Sequence, residues 1–243
     1  MLKKSDFDVS FDMRSDTPDG KDPDQHSPTL RRYHQLLWSK SLPNGKLFDL
    51  DISSKSRYLH HKSDLGEFFL ASDAATRTFV RALKAAPVID QISEKDREKF
   101  SRQGYTIGGM MVFPGNRIDR KPTINGARGM HPRISDRLDL TLESIRRHYR
   151  GEANPIEDAL KRYADFFELF ETFQGYVDYF LLQDLVSDDY QSVRFVAPFS
   201  EFTTPAIPQT LEDYKKYRQQ TLKFVAARNA RIDKYVRSLP HAH

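Results

Sequence analysis

Eight aromatic side chains lie within eighteen consecutive residues of this chain, and their burial constrains the fold more than any other feature. Helical spacing puts most of them on one side, with acidic residues such as Asp165 and Glu168 on the other. Each buried phenylalanine stabilises a fold by roughly 1.5–3 kcal/mol. A base-stacking surface would need basic neighbours to hold phosphates, so the pattern favours a central core element. The aromatic residues are Tyr163, Phe166, Phe167, Phe170, Phe173, Tyr176, Tyr179 and Phe180.

The rest of the chain mixes strands and helices in its first half and is mostly helical afterwards. Regular alternation of strand and helix is missing, which favours an α+β fold over a doubly wound sheet. We predict a single domain over 1–243, with a strand and polar loop in 1–27 and a C-terminal helix in 205–243. A small mixed or antiparallel sheet from the N-terminal half is expected to pack against a mostly helical C-terminal half. Predicted strands cover 7–11, 47–52, 58–61, 67–71, 105–113 and 193–196. Predicted helices cover 28–40, 74–84, 87–102, 135–150, 157–186 and 211–239.

Composition excludes several classes of site. The chain has no cysteine, so disulfides, thiolate zinc sites, iron–sulfur clusters and cysteine nucleophiles are ruled out. Zinc-hydrolase histidine motifs and calcium-loop spacing are absent as well, and no metal or named cofactor is predicted. The N-terminus lacks the apolar run of a secretory signal, and no stretch approaches the ~18 apolar residues of a membrane span. These absences predict a cytoplasmic protein that does not bind membranes.

The net charge of +4 hides an uneven distribution. Segments 114–150 and 205–243 each carry +5, whereas segment 151–204 carries −8. A surface built for duplex DNA would not include so acidic a block. The distribution predicts either internal pairing between the blocks or a local basic site beside an acidic face.

The basic segment 114–133 has the densest pattern of ligand-binding residues. Gly126 and Gly129 would supply positive φ angles, so that successive backbone amides converge on an anion as a nest. Arginine guanidinium groups match phosphate and carboxylate, and the following helix would direct its positive end at the same anion. Arg14, at the end of the first predicted strand, and His60 are expected at the same edge of the sheet. The predicted ligand-binding residues are Arg14, Asn116, Arg117, Asn125, Gly126, Arg128, Gly129, Arg133 and Arg137.

The same segment has two other interpretations. Its arginines would serve as internal salt-bridge scaffolding with the acidic block, or as a surface for a partner protein. Nucleotide-binding glycine motifs are absent, so the pattern is not specific. The ligand hypothesis predicts that Arg128→Ala abolishes binding and leaves the fold nearly intact. Misfolding of that variant would favour scaffolding.

Five residues are candidates for proton transfer: His60, His61, His131, Asp136 and Glu143. The two neighbouring histidines face opposite sides of a strand, and His131 lies within the basic segment. Asp136, Asp139 and Glu143 share one helix face, where pairing with Arg146 and Arg147 is the structural alternative to a general base.

Several stretches together resemble members of an uncharacterised bacterial and phage protein family. They are SFDMRSDTPDGKDPD, TLRRYHQLLWSK, TINGARG, RISDRLDLTLESIRRHY and FFELFETFQGYVDYFLLQDLV. The resemblance spans most of the chain. It implies a bacterial or phage origin, and it supplies no activity, fold or cofactor.

The sequence therefore predicts a soluble protein that binds a phosphate-bearing ligand, either a nucleotide or a short nucleic acid. If the protein is an enzyme, phosphoester or nucleotidyl chemistry is expected. The alternative is a non-enzymatic interaction or regulatory module that uses its acidic and basic faces, with a protein partner or a second copy of the chain.

Overall fold

Small antiparallel sheets and many short helices build the protein. The computed structural model describes residues 6–53, 58–79, 82 and 84–240. The strands are β1 (Lys40–Ser41), β2 (Leu47–Phe48), β3 (Leu59–Ser63), β4 (Gly66–Ala74) and β5 (Met110–Pro114). The helices are α1 (Pro23–His26), α2 (Pro28–Trp38), α3 (Ala86–Ile89), α4 (Glu94–Gly104), α5 (Ile124–Met130), α6 (Leu138–Tyr149), α7 (Glu157–Arg162), α8 (Ala164–Glu168), α9 (Phe173–Tyr179) and α10 (Leu211–Ser238). The predicted α+β class is confirmed.

The larger sheet has the order β3-β4-β5, and both of its pairings are antiparallel. The predicted hairpin is present, with Ser63 opposite Gly66 at its tip. The far end of β4 pairs with the start of β5, where Ala74 lies opposite Met110. Asp73 is therefore carried to the edge of the sheet that faces α5 and α6, where Arg128 contacts it.

The aromatic segment is buried as predicted, although the single helix predicted over 157–186 is divided into the short helices α7, α8 and α9. Glu171 adopts a left-handed backbone (φ 61°), which separates α8 from α9. Thr172 then caps α9 by accepting a hydrogen bond from the backbone N–H of Gly175. A side chain at Gly175 would place its Cβ 2.1 Å from the carbonyl oxygen of Phe170. Glycine therefore allows the backbone at the start of α9 to lie close to the Phe170 carbonyl. The acidic residues Asp165, Glu168 and Glu171 are exposed to solvent.

Three predicted elements are wrong. Residues 7–11 form no strand, because Phe7 stacks on Tyr33 at 4.1 Å and the Asp8 N–H donates to the Tyr33 hydroxyl instead of to a ladder. The helix predicted over 74–84 is replaced by the end of β4 and irregular backbone, as far as residues 74–79, 82 and 84 are described. Pairing with β5 favours the extended form there. The strand predicted at 193–196 is a single bridge between Val193 and Val186.

A buried carboxylate joins α1 to the larger sheet. One oxygen of Asp24 accepts hydrogen bonds from Ser72, at 2.8 Å from the backbone nitrogen and 2.6 Å from the hydroxyl. Burial raises the pKa of Asp24 to about 6, because removal from water penalises the charged form. The ionised group therefore costs stability at neutral pH.

We expect Asp24→Asn to raise the free energy of unfolding by up to about 3 kcal/mol at neutral pH and above. The folded chain retains this proton between pH 3.8 and about 6, whereas the unfolded chain releases it. The free energy of unfolding of the wild type therefore falls as pH rises through that window. The amide keeps the acceptor oxygen and removes the charge, so the variant should lose this dependence. Urea unfolding at several pH values measures both effects, and parallel pH profiles for the two proteins would contradict them.

Candidate functional site

The basic segment 114–133 contains a helix that the sequence analysis missed. Thr123 caps α5, since its hydroxyl accepts a hydrogen bond from the Gly126 N–H at 3.2 Å. Gly126 and Gly129 are helical, and neither has a positive φ. The predicted amide nest is therefore wrong. The signal that could have identified this helix is Thr123, an N-cap residue type directly before the apolar Ile124.

Arg128 is the buried centre of an ionic cluster whose outer members, Asp73 and Arg77, are partly exposed. Its side chain is 1% exposed, and Nη1 lies 2.7 Å from an oxygen of Asp73 and 2.7 Å from an oxygen of Asp136. Nε donates to the Thr141 hydroxyl at 2.9 Å, and Nη2 donates to the Asp136 carbonyl at 2.7 Å. Asp136 also pairs with Arg77 at 3.1 Å. We call Asp73, Arg77, Arg128, Asp136 and Thr141 the arginine–aspartate cluster.

Two features of this cluster are typical of functional sites. Burial raises the pKa of the Asp73 carboxyl against the opposing effect of Arg128, and the neighbouring Asp136 raises it further. Ser135 and Asp136 both have left-handed backbones, with φ of 46° and 67°. This strained pair aims the Asp136 carboxylate at both arginines. The sequence gives no signal for Asp73 or Arg77, because only tertiary packing brings β4 and the following segment to α5.

Arg137 also pairs internally. It donates to both oxygens of Asp139, at 3.1 and 2.6 Å, and one of these oxygens accepts the Val196 N–H at 3.0 Å. Arg137 further donates to the backbone carbonyls of Ala197 and Ala206. The pair is buried, so it fastens the segment after residue 196 to α6 and is not exposed to a ligand.

Two more predicted residues are held by charged neighbours. Glu143 is largely buried, and hydrogen bonds from Arg146 and Arg147, all at 2.8 Å, hold its pKa below the usual range despite that burial. This is the structural alternative predicted for that helix face. Arg14 binds Asp12 at 2.8 Å and Glu98 at 3.0 Å.

The predicted histidines are separated from one another. His60 contacts Glu67 at 2.9 Å and stacks on Phe69. His61 points to the other side of β3, as predicted, and stacks on Phe48. Partial burial and the nearby Arg133 lower the pKa of His131, whose Nδ1 accepts the Arg133 N–H at 3.3 Å.

Arg14, His60 and the basic segment do not share contacts. No hydrogen bond or ion pair within 6–53, 58–79, 82 and 84–240 connects any two of them. The Asn116 carbonyl accepts a hydrogen bond from the Tyr163 hydroxyl at 2.7 Å. The side-chain oxygen of Asn125 is buried without a hydrogen-bond partner in the part of the chain that is described.

Four cations of the segment face solvent: Arg117, Arg120, Lys121 and Arg133. We call them the basic rim. None of the ion pairs among the described residues involves a member of the rim. Pairing between the basic segment 114–150 and the acidic block 151–204 is present at the end of α6, where Arg146 and Arg150 contact Glu152 and Arg147 contacts Glu201. Between 114–137 and that block, the same set contains no ion pair. The carboxylates that neutralise Arg128 and Arg137 come from β4 and from residues 136–139 instead.

A cavity lined by Ala75, Leu138 and Tyr217 has a volume of about 10 Å³, which holds one water molecule. An open groove of about 720 Å³ lies beside α4, away from the basic segment, and is lined by Thr78, Glu94, Lys95, Arg97, Glu98 and Ser101. Across the described ranges, no three histidine, aspartate or glutamate side chains are grouped to hold a metal ion. No helix in these ranges is both long and apolar enough to cross a membrane.

Comparison with known proteins identifies one family. The family model that matches residues 7–232 is described as a family of unknown function, DUF6994. No curated protein and no solved structure matches the chain. The predicted resemblance to an uncharacterised family is confirmed, and the bacterial or phage origin stays a prediction.

Proposed function

The chain belongs to the DUF6994 family, and we propose that it binds a short single-stranded nucleic acid through the basic rim. The proposal keeps the phosphate-bearing ligand inferred from the sequence and moves its contacts from the buried to the exposed cations. The phosphates of a polyanion neutralise exposed cations, and the counterions released from the polyanion favour binding.

The single observation that carries the proposal is the contrast within one segment. Arg128 and Arg137 have carboxylate partners, whereas the four rim cations lie exposed without one among the described residues. A rim spread along a surface suits successive phosphates of a strand better than one nucleotide in a pocket.

Contacts beneath the rim support its preorganisation. The Tyr163 hydroxyl donates to the Asn116 carbonyl at 2.7 Å, and Arg162 donates to the Pro122 carbonyl at 2.7 Å. Arg128 fixes the other end by its contacts to Asp136. A backbone held in this way loses less conformational entropy when a ligand binds.

Met130, which is 68% exposed beside the rim, offers an apolar contact to a base.

We expect a labelled oligonucleotide of about 12 nucleotides to bind with strong salt dependence. Four phosphate contacts predict a slope of about −3 for log K against log salt concentration. The double variant Arg117→Glu/Arg133→Glu should reduce the slope to about −1 and weaken binding at least tenfold at low salt. Fluorescence anisotropy at several salt concentrations measures both quantities.

The matched control changes the same charge elsewhere. Lys95 and Lys99 are exposed on α4, and Lys95→Glu/Lys99→Glu produces an equal change of net charge. Equal weakening by the two double variants would show that net charge alone drives association, and the proposal would fail. It would also fail if the wild type bound no oligonucleotide at low salt.

A second function is favoured by the exposed acidic residues Asp165, Glu168 and Glu171. They have no ion-pair partner in the described part of the chain, so an acidic face is present in addition to the basic rim. This arrangement supports a protein partner or self-association through opposite charges. A wild type that binds no oligonucleotide and sediments as a dimer only at low salt would favour this function.

A further inference from the structure

A serine and a histidine lie side by side on β3, outside the basic segment. Residues His61 and Ser63 are two positions apart, so their side chains share one face of the strand. The distance from His61 Nε2 to the Ser63 hydroxyl oxygen is 2.8 Å. The other ring nitrogen, Nδ1, lies 2.7 Å from the backbone carbonyl oxygen of Asp49.

These contacts fix the roles of the two ring nitrogens. A carbonyl oxygen only accepts hydrogen bonds, so Nδ1 of His61 donates to Asp49. In the neutral imidazole Nε2 then has a lone pair, and the Ser63 hydroxyl donates to it. Ser63 is therefore placed as a nucleophile, His61 as the base that contacts it, and the Asp49 carbonyl as the group that orients the base.

The surroundings hold the imidazole in place and leave the hydroxyl accessible. His61 is 2% exposed and stacks on Phe48 with ring centroids 4.1 Å apart, so its ring cannot rotate freely. Ser63 is exposed at the hairpin tip, opposite Gly66. Gly66 has a φ of 125°, which favours glycine, and a Cβ at this position would lie 3.1 Å from the ring of Phe68.

We propose that Ser63 is a nucleophile, activated by His61, that accepts an acyl group from a carboxylic ester. The Ser63 oxygen forms a bond to the ester carbonyl carbon, and the hydroxyl proton passes to Nε2 of His61. The bond from that carbon to the ester oxygen breaks, and the alcohol leaves with the proton. Water then attacks the acyl carbon and gives a proton to His61. The bond from that carbon to the Ser63 oxygen breaks, the carboxylic acid leaves, and Ser63 takes the proton back from His61.

One more contact favours this chemistry. The backbone N–H of Leu65 donates to the Ser63 oxygen at 3.1 Å. This hydrogen bond fixes the Ser63 oxygen in position beside His61. The same hydrogen bond also closes the hairpin turn, so a purely structural role for Ser63 makes a competing prediction: the hydroxyl would react no faster than an ordinary exposed serine.

The test uses a fluorophosphonate probe, with which serine forms an oxygen–phosphorus bond while fluoride leaves and the proton passes to the base. Ser10 is the internal control, because it is exposed and its hydroxyl donates to Asp8 without contacting an imidazole. We expect Ser63 to be labelled at least about 100-fold faster than Ser10, the usual gain from a positioned base. Peptide mapping by mass spectrometry reads both sites in one sample.

Two variants complete the experiment. Ser63→Ala should abolish the fast labelling, and His61→Gln should lower labelling of Ser63 to the rate of Ser10. Hydrolysis of p-nitrophenyl acetate should fall in parallel. Equal rates at Ser63 and Ser10 in the wild type would overturn the proposal, and so would full labelling in a folded His61→Gln variant. The wild-type comparison decides the question even if His61→Gln does not fold.

Discussion

Replacing Arg128 with alanine is expected to lower the free energy of unfolding by about 3–5 kcal/mol. The substitution leaves Asp73 and Asp136 side by side without the cation that lies 2.7 Å from each, and it opens a cavity where a fully buried side chain stood. Urea unfolding followed by circular dichroism measures the loss. The ligand hypothesis predicts a nearly intact fold for this variant, so the result also distinguishes scaffolding from ligand binding at this residue.

Arg133→Ala is the matched control for Arg128→Ala. Arg133 is an exposed arginine of the same segment without an ion-pair partner among the described residues, and its removal should change stability by less than about 0.5 kcal/mol. The same variant is expected to weaken oligonucleotide binding, because Arg133 belongs to the basic rim. An Arg128→Ala protein as stable as Arg133→Ala would show that the buried cluster contributes little.

Arg137→Ala is expected to cost a similar 3–5 kcal/mol for a different reason. It leaves the Asp139 carboxylate, whose side chain is 0% exposed, without a cation in contact. It also removes the hydrogen bonds to the Ala197 and Ala206 carbonyls, which fasten the segment before α10. The measurement is again urea unfolding, and limited proteolysis should show earlier cleavage between residues 196 and 206.

A double variant separates the charge effect from lost packing. Arg137→Met/Asp139→Leu removes both charges and keeps most of the apolar volume, so it should recover much of the stability lost in Arg137→Ala. Recovery would show that the uncompensated carboxylate is the main cost. If the double variant were less stable than Arg137→Ala, the hydrogen bond from the Val196 N–H to Asp139 would outweigh the cost of leaving that carboxylate without a cation.

The sequence showed which arginines the basic segment contains, but it did not show which of them are buried or paired. Arg128 and Arg137 were predicted to bind a ligand, whereas the structure buries both in internal ion pairs. Their partners could not be predicted. Asp73 lies 55 residues from Arg128 in the chain, and only the antiparallel pairing of β4 with β5 brings it to α5. The hydrogen bond between His61 and Ser63 was missed although both lie on the predicted hairpin, because strand spacing alone does not show that two side chains touch.

By itself the sequence determined the α+β class, the hairpin around Ser63 and Gly66, and the burial of the aromatic segment, because these follow from local spacing, turn chemistry and hydrophobicity. It could not determine which cations are neutralised. A guanidinium group has the same local pattern whether it meets solvent or a carboxylate from a distant strand. Tertiary packing decided this by burying Arg128 and Arg137 with their carboxylates and leaving the basic rim exposed, since a charge leaves water only where the fold supplies a partner.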